Sequence, residues 1–112
     1  MSDSIVDQPI VVLITAPSHE VGKKIADTLL EGKLAACVNI TAPVNSLYLW
    51  QDQTHDEHEV LLIVKTRVSL FSDRLVPAVL AVHPYETPEI IALPIVAGHA
   101  AYLNWIDRET RQ

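Results

Sequence analysis

Two long extended segments flank one short turn, and this pair constrains the chain more than anything else in it. Leu34 to Trp50 and Asp56 to Thr66 read as strands, joined by Gln51-Asp-Gln-Thr54. In the first segment Ala36, Val38 and Ile40 alternate with Cys37, Asn39 and Thr41, the period of two that marks a strand. Further on, Tyr48 and Trp50 share one face and Leu47 and Leu49 the other. Pro43 lacks a donor N–H, so it marks a bulge or an edge position. The returning segment is charged at its outer end (Asp56, Glu57, Glu59) and apolar at its inner end (Val60 to Val64). Both strands exceed the usual length of about 5–6 residues. The pair leaves a long edge from Leu34 to Trp50 for another strand to join.

The remaining elements fall around this hairpin. Ile10 to Thr15 is a β-branched run suited to a strand buried on both faces, and Pro17 ends it. Ser18 is a good helix N-cap, with Glu20 in the first turn. Val21, Ile25 and Leu29 then line one side of a helix over 19–31, and Gly32 suits its end. A second helix is expected from Ser69 or Ser72 to Val82, with a kink or late start at Pro77. His83 to Pro88 forms a rigid connector, Glu89 to Ile95 a further strand, and Ala100 to Arg108 a third helix. Residues 1–8 read as a frayed acidic tail, leaving 9–112 as one domain. The order β-α-β-β-α-β, plus a helix, predicts an α+β chain. Its expected fold is ferredoxin-like: a four-stranded antiparallel sheet with a long hairpin between its second and third strands and two helices on one face.

Composition narrows the function. The chain has 112 residues, of which 49% are hydrophobic and 20% charged. Average soluble domains carry about 25% charge, and a domain this small buries only about 65% of its unfolded surface. More apolar side chain is present than one small core hides, which predicts an oligomer. High apolar content excludes disorder. No apolar run approaches the ~20 residues of a membrane helix. The first residues lack the basic and apolar blocks of a signal peptide. The lone Cys37 cannot form an internal disulfide, so the expected compartment is the cytoplasm. A net charge of −6 argues against nucleic acid as a partner.

Several ordered motifs give the chain a family resemblance. Leu34-Ala-Ala-Cys-Val-Asn-Ile40, Ser46-Leu-Tyr-Leu-Trp50, Glu59 to Thr66 and His83-Pro-Tyr-Glu-Thr-Pro-Glu-Ile90 resemble the divalent-cation-tolerance proteins, the CutA family. The likeness spans about residues 9–106. It implies a cytoplasmic homotrimer whose long second and third strands extend the sheet across subunits, much as in the PII signalling proteins. It also implies a link to tolerance of copper (Cu²⁺) and other divalent metals, and no enzymatic activity is established for the family. The chain departs from the family pattern in places. Some members carry Cys where this chain has Ile14, and a His pair where it has Val82 and His83. Of a copper site made from one Cys and two His, only His83 remains. A glycine usual after Trp50 is replaced by Asp52 or Gln53.

Two constellations carry candidate chemistry. His83, with oxygen ligands from Glu86 or Glu89, is the candidate divalent-metal site. The alternative for His83 is contact with free carbonyls at a helix end. Tyr48, Trp50, Glu59, Lys65, Tyr85 and Glu89 form the second, either a small-ligand cleft or an aromatic belt at a subunit interface. Within it, Lys65 is expected to pair with Glu59 or Glu89. His55-Asp-Glu-His58-Glu59 lacks two histidines at chelating spacing on one strand face and reads as a solvated hairpin tip. Cys37 reads as a small buried hydrophobe.

Enzyme classes fit poorly. No Ser/His/Asp or Cys/His grouping has a supporting base, and no phosphate-binding G-x-x-x-x-G-K-[ST] loop is present. Acylphosphatases share the element order but need a glycine-rich cradle with Arg after the first strand, where this chain has Thr15-Ala-Pro-Ser-His-Glu20. RNA-binding domains of this order need aromatics on the first strand, and Ile10 to Thr15 has none. A divalent-cation (copper) tolerance module, metal-responsive and engaged in binding or signalling, is the leading expectation. The alternatives are a structural or small-ligand-binding trimer of the PII type without a metal site, and a trimer that regulates an unidentified protein partner.

Overall fold

The β-branched run forms the central strand β1 (Pro9–Ala16), whose residues alternate between half-buried and buried along its whole length. The computed structural model describes residues 7–112. Most of the expected acidic tail, residues 1–6, lies outside that range, but its last two residues are tied to the body. Asp7 bonds Arg67 at 2.7 Å, and Gln8 donates to the Ile95 carbonyl at 2.9 Å.

Ser18 caps helix α1 (His19–Glu31), its Oγ accepting the Val21 N–H at 3.1 Å. The expected second strand is divided into β2 (Cys37–Ile40) and β3 (Val44–Trp50), both paired antiparallel with the 15-residue β4 (Gln53–Arg67). The division is a one-residue bulge. Ile40 lies opposite Leu62 and Val44 opposite Glu59, so four steps on one strand face three on the other. Thr41 holds the bulge by accepting the Leu61 N–H on its hydroxyl at 3.0 Å. The hairpin closes at Gln51 and Asp52, both with positive φ (52° and 66°), the pairing that matches strand twist.

Past β4 the chain makes a 3₁₀ turn (Val68–Leu70) and a π-helical turn (Phe71–Leu75) before helix α2 (Val76–Val82). Pro77 therefore stands in the first turn of α2, where no intrahelical donor is needed. The wider π turn also relieves the crowding that a proline ring imposes one turn back. This is the late start, and the helix that contains Pro77 is shorter than the periodicity suggested. Strand β5 (Ile90–Pro94) and helix α3 (Ala100–Glu109) complete the fold.

The sheet order is β2-β4-β1-β5, with β3 continuing beside β4, and every pairing is antiparallel. This is the ferredoxin-like arrangement. One sheet face carries Val12, Ile14, Ala16, Val60, Leu62 and Val64, all nearly or fully buried beneath Ile25 and Leu29 of α1 and Val79 of α2. Each of the valine, leucine and isoleucine side chains contributes about 1.5–3 kcal/mol through burial.

The opposite face is a second apolar surface. Opposed residues share a face, so Cys37, Lys65, Val11 and Leu93 form one row across it and Asn39, Ile63, Leu13 and Ile91 the next. Helix α3 covers one end, where Ile106 is fully buried. The rest is open: Ile91 is 49% and Leu93 45% exposed. The hairpin arm projects beyond it, with Leu47 68% and Leu49 74% exposed. The arm stretches the chain to 52 × 25 × 25 Å and its radius of gyration to 15.0 Å. A compact chain of this length has a radius of about 13 Å. The excess of apolar residues seen in the sequence is therefore spread over the open sheet face and the arm.

Candidate functional site

The bulge at Thr41–Pro43 sets which side chains of β3 meet β4. Past it, Tyr48 lies opposite His55 and stacks on its ring, with centroids 5.1 Å apart and planes at 13°. Alternation places Glu57 and Glu59 on the same side. The Tyr48 hydroxyl donates to Glu57 at 2.5 Å. From the other direction the connector after α2 brings Tyr85 over the sheet edge, and its hydroxyl donates to Glu59 Oε2 at 2.7 Å. Tyr48, Glu57, Glu59 and Tyr85, with Trp50, Glu86, Glu89 and Thr15, line a cleft of about 680 Å³. Its charged groups are all carboxylates, and Glu59 is only 5% exposed.

Both tyrosines are perturbed in the same direction. Burial, followed by the bond to Glu59 and that carboxylate's charge, pushes the Tyr85 hydroxyl well above the ordinary tyrosine value of 10.0. Tyr48 is also raised, first by its bond to Glu57. A hydroxyl held protonated in the folded chain, while the unfolded chain ionises, stabilises the fold fully below about pH 10 and loses that contribution as pH rises further. We expect the melting temperature to fall as pH rises above about 10 in the wild type and to fall less steeply in Tyr85→Phe. Equal slopes in the two proteins would show that Tyr85 ionises as freely folded as unfolded.

The structure gathers Tyr48, Trp50, Glu59, Tyr85, Glu86 and Glu89 around one cleft. It sets Lys65 elsewhere. Lys65 lies six residues from Glu59 on the same strand, about 20 Å away, with its ammonium against Asn39 Oδ1 and Cys37 Sγ. The expected ion pair with Glu59 or Glu89 is not made within the chain, because a straight strand holds the two ends apart. Glu57 belongs to the cleft, although its place in the charged His55–Glu59 run suggests a solvated tip. The signal that places it is its alternation with Glu59. Cys37 is half-buried rather than in the core, close to Tyr102 of α3, whose hydroxyl is raised by burial and by the Cys37 sulfur.

His83 is buried at the edge of β1, one residue past the last β1–β5 pair. Its Nε2 lies 2.8 Å from the Thr15 carbonyl oxygen, and its Nδ1 is 3.2 Å from the Tyr85 N–H. A carbonyl only accepts, so Nε2 carries the proton, and the Nδ1 lone pair takes the Tyr85 N–H. A metal needs a lone pair, and this neutral ring has none to offer. Ile14, at the neighbouring strand position, is fully buried and apolar. Among the described residues no three His, Cys, Asp or Glu side chains are grouped to hold a metal ion. The donor set around His83 therefore does not fit copper. Instead, His83 ties the connector to β1 and fixes where Tyr85 stands.

Comparison with known proteins is consistent over nearly the whole chain. The sequence model of the CutA1 divalent ion tolerance protein matches residues 10–109. The divalent-cation tolerance protein CutA of Thermus thermophilus is 49% identical over 100 residues, covering 89% of this chain and 96% of that one. The chloroplastic protein CutA 1 of Oryza sativa is 47% identical over 92% of this chain, which spans only 58% of that longer relative. Among solved structures, CutA1 from Oryza sativa superposes with a TM-score of 0.89 at 45% identity, covering 95% of this chain and 96% of that one. CutA1 from Thermus thermophilus superposes with 0.85 at 49% identity, covering 88% and 94%. The open sheet face, the projecting arm and the cleft at its root are thus features of a chain that belongs to the CutA1 divalent ion tolerance protein family.

Proposed function

We propose that this chain serves divalent-cation tolerance as a homotrimeric binding or signalling module that works through the acidic, aromatic cleft, without copper held by His83. The observation that carries this reading is the engagement of both His83 ring nitrogens, one by the Thr15 carbonyl and one by the Tyr85 N–H. The open sheet face and the exposed arm support assembly, since Leu47, Leu49, Ile91 and Leu93 all gain by being covered. The cleft supports small-ligand binding, because aromatic walls and convergent polar groups are what such sites use. The role is binding rather than catalysis. The free thiol of Cys37 suits a reducing compartment, and we place the protein in the cytoplasm. No helix among the described residues is long and apolar enough to cross a membrane.

Two measurements test the reading. Sedimentation equilibrium at micromolar concentration should give a mass near three times 12.4 kDa, and a folded monomer would overturn the assembly. Calorimetric titration with Cu²⁺ should give the same affinity, within about twofold, for the wild type and His83→Gln. A tenfold weaker affinity in the variant, equivalent to about 1.4 kcal/mol, would return His83 to the ligand set.

A further inference from the structure

Glu59 and Lys65 occupy opposite ends of one apolar sheet face, and among the described residues neither has a counter-charge. Glu59 is 5% exposed, and its partner among the described residues is the neutral Tyr85 hydroxyl, on Oε2 alone. Lys65 is half-buried between the neutral Asn39 and Cys37 side chains. None of the ion pairs among the described residues includes either one. Lys23 and Arg67, by contrast, pair with Asp27 and Asp7. Buried charges are normally paired, because desolvation without compensation costs several kcal/mol. The ~20 Å between the two groups along β4 rules out pairing within one chain. Around them the surface is apolar and open, as a face awaiting a second copy would be.

We infer that Lys65 of one copy enters the cleft of the next and pairs with Glu59, so that the cleft is complete only in the assembly. This rests on the trimer reading and adds a residue to its site. In a closed ring every copy donates one Lys65 and receives another, so every Glu59 and every Lys65 is paired by repeating a single head-to-tail contact. The cleft then presents an ammonium beside its carboxylates, and a ligand entering it needs both a cationic and an anionic or neutral acceptor part.

The test is a double-mutant cycle on the full chain with E59Q, K65M and both together, reading the dissociation constant of the assembly by sedimentation over a dilution series. Each single change should weaken assembly at least tenfold, and the double variant should be no weaker than the worse single. Sites more than about 10 Å apart in one chain act additively, so coupling of this kind has to pass between copies. Additive effects would overturn the pairing while leaving the trimer standing. A monomeric wild type would instead overturn the trimer reading, before any variant is made. If a single variant does not fold, the reversal E59K/K65E decides: it assembles if the pair exists and fails to assemble if it does not.

Discussion

Leu62→Ala should cost about 3–5 kcal/mol per chain, the range seen when a fully buried leucine is cut back and the cavity cannot close. Leu62 is 0% exposed at the centre of the sheet, opposite both Ile14 and Ile40. Above it helix α1 comes close at Gly22, where a Cβ would lie 3.2 Å from Leu62 Cδ1 and 3.3 Å from Val60 Cγ2. The glycine lets the helix sit this near, and the helix cannot sink further once Leu62 is cut back, because Val60 still holds it off. The same geometry makes the two positions interdependent. Gly22→Ala gains helix propensity worth about 1 kcal/mol but meets a tight contact in the wild type. In the Leu62→Ala background the contact with Leu62 Cδ1 is gone and the one with Val60 Cγ2 remains, so the added methyl should recover part of that gain, less than about 1 kcal/mol. Guanidinium unfolding at fixed protein concentration measures all four proteins. A loss below about 1 kcal/mol for Leu62→Ala would mean that this is not the packed centre of the fold.

Helix α1 was legible because Val21, Ile25 and Leu29 recur at helical spacing, and the inner strands because they are unbroken β-branched and leucine runs. Those runs predict burial on both faces, whereas only the face of Val12, Ile14, Leu62 and Val64 is fully buried and the other is half-buried. Features that depend on pairing were harder to read. Pro43 signalled an interruption in the second strand, but the one-residue shift of register beside it exists only once β4 is laid alongside. Pro77 signalled a disturbed helix, and the π-helical turn that absorbs it is a tertiary adjustment. The cleft was half legible. Aromatics concentrated at Tyr48 and Trp50 marked one wall, while Glu57 was hidden among charges that looked solvated. His83 shows the limit most clearly. Its sequence context suits a ligand or a helix-end contact equally, and only the Thr15 carbonyl and the Tyr85 N–H, from distant and adjacent parts of the chain, decide what its nitrogens do. Lys65 and Glu59 stand in one constellation in the sequence, but six residues along a straight strand keep them apart.

Arg67 joins the two ends of the chain to the sheet, and Arg67→Ala should cost about 2–4 kcal/mol. Its guanidinium donates from Nε to Thr110 Oγ1 at 2.8 Å, from Nη2 to the Thr110 carbonyl at 2.7 Å and from Nη1 to Asp7 at 2.7 Å. The side chain is only 15% exposed and that of Asp7 18%, so these bonds are shielded from water. Asp7 also accepts the Ser69 N–H at 3.1 Å, which fixes the entry to β1 beside the exit of β4. Removing the guanidinium leaves a poorly hydrated carboxylate with neutral donors alone, and frees Thr110 at the end of α3. Arg67→Lys keeps the charge but not the fork, so it can satisfy Asp7 or Thr110 but not both, and should restore less than half of the loss. The damage should be local. Helix α3 covers one end of the open face and leans on this clasp, whereas Val12 and Ile14 are held by the separate core under α1. Hydrogen exchange in Arg67→Ala should therefore speed up at the amides of Tyr102 to Ile106 well before those of Val12 and Ile14. Uniform acceleration across both would show that α3 and the sheet open as one unit, and that the clasp does not hold the helix separately.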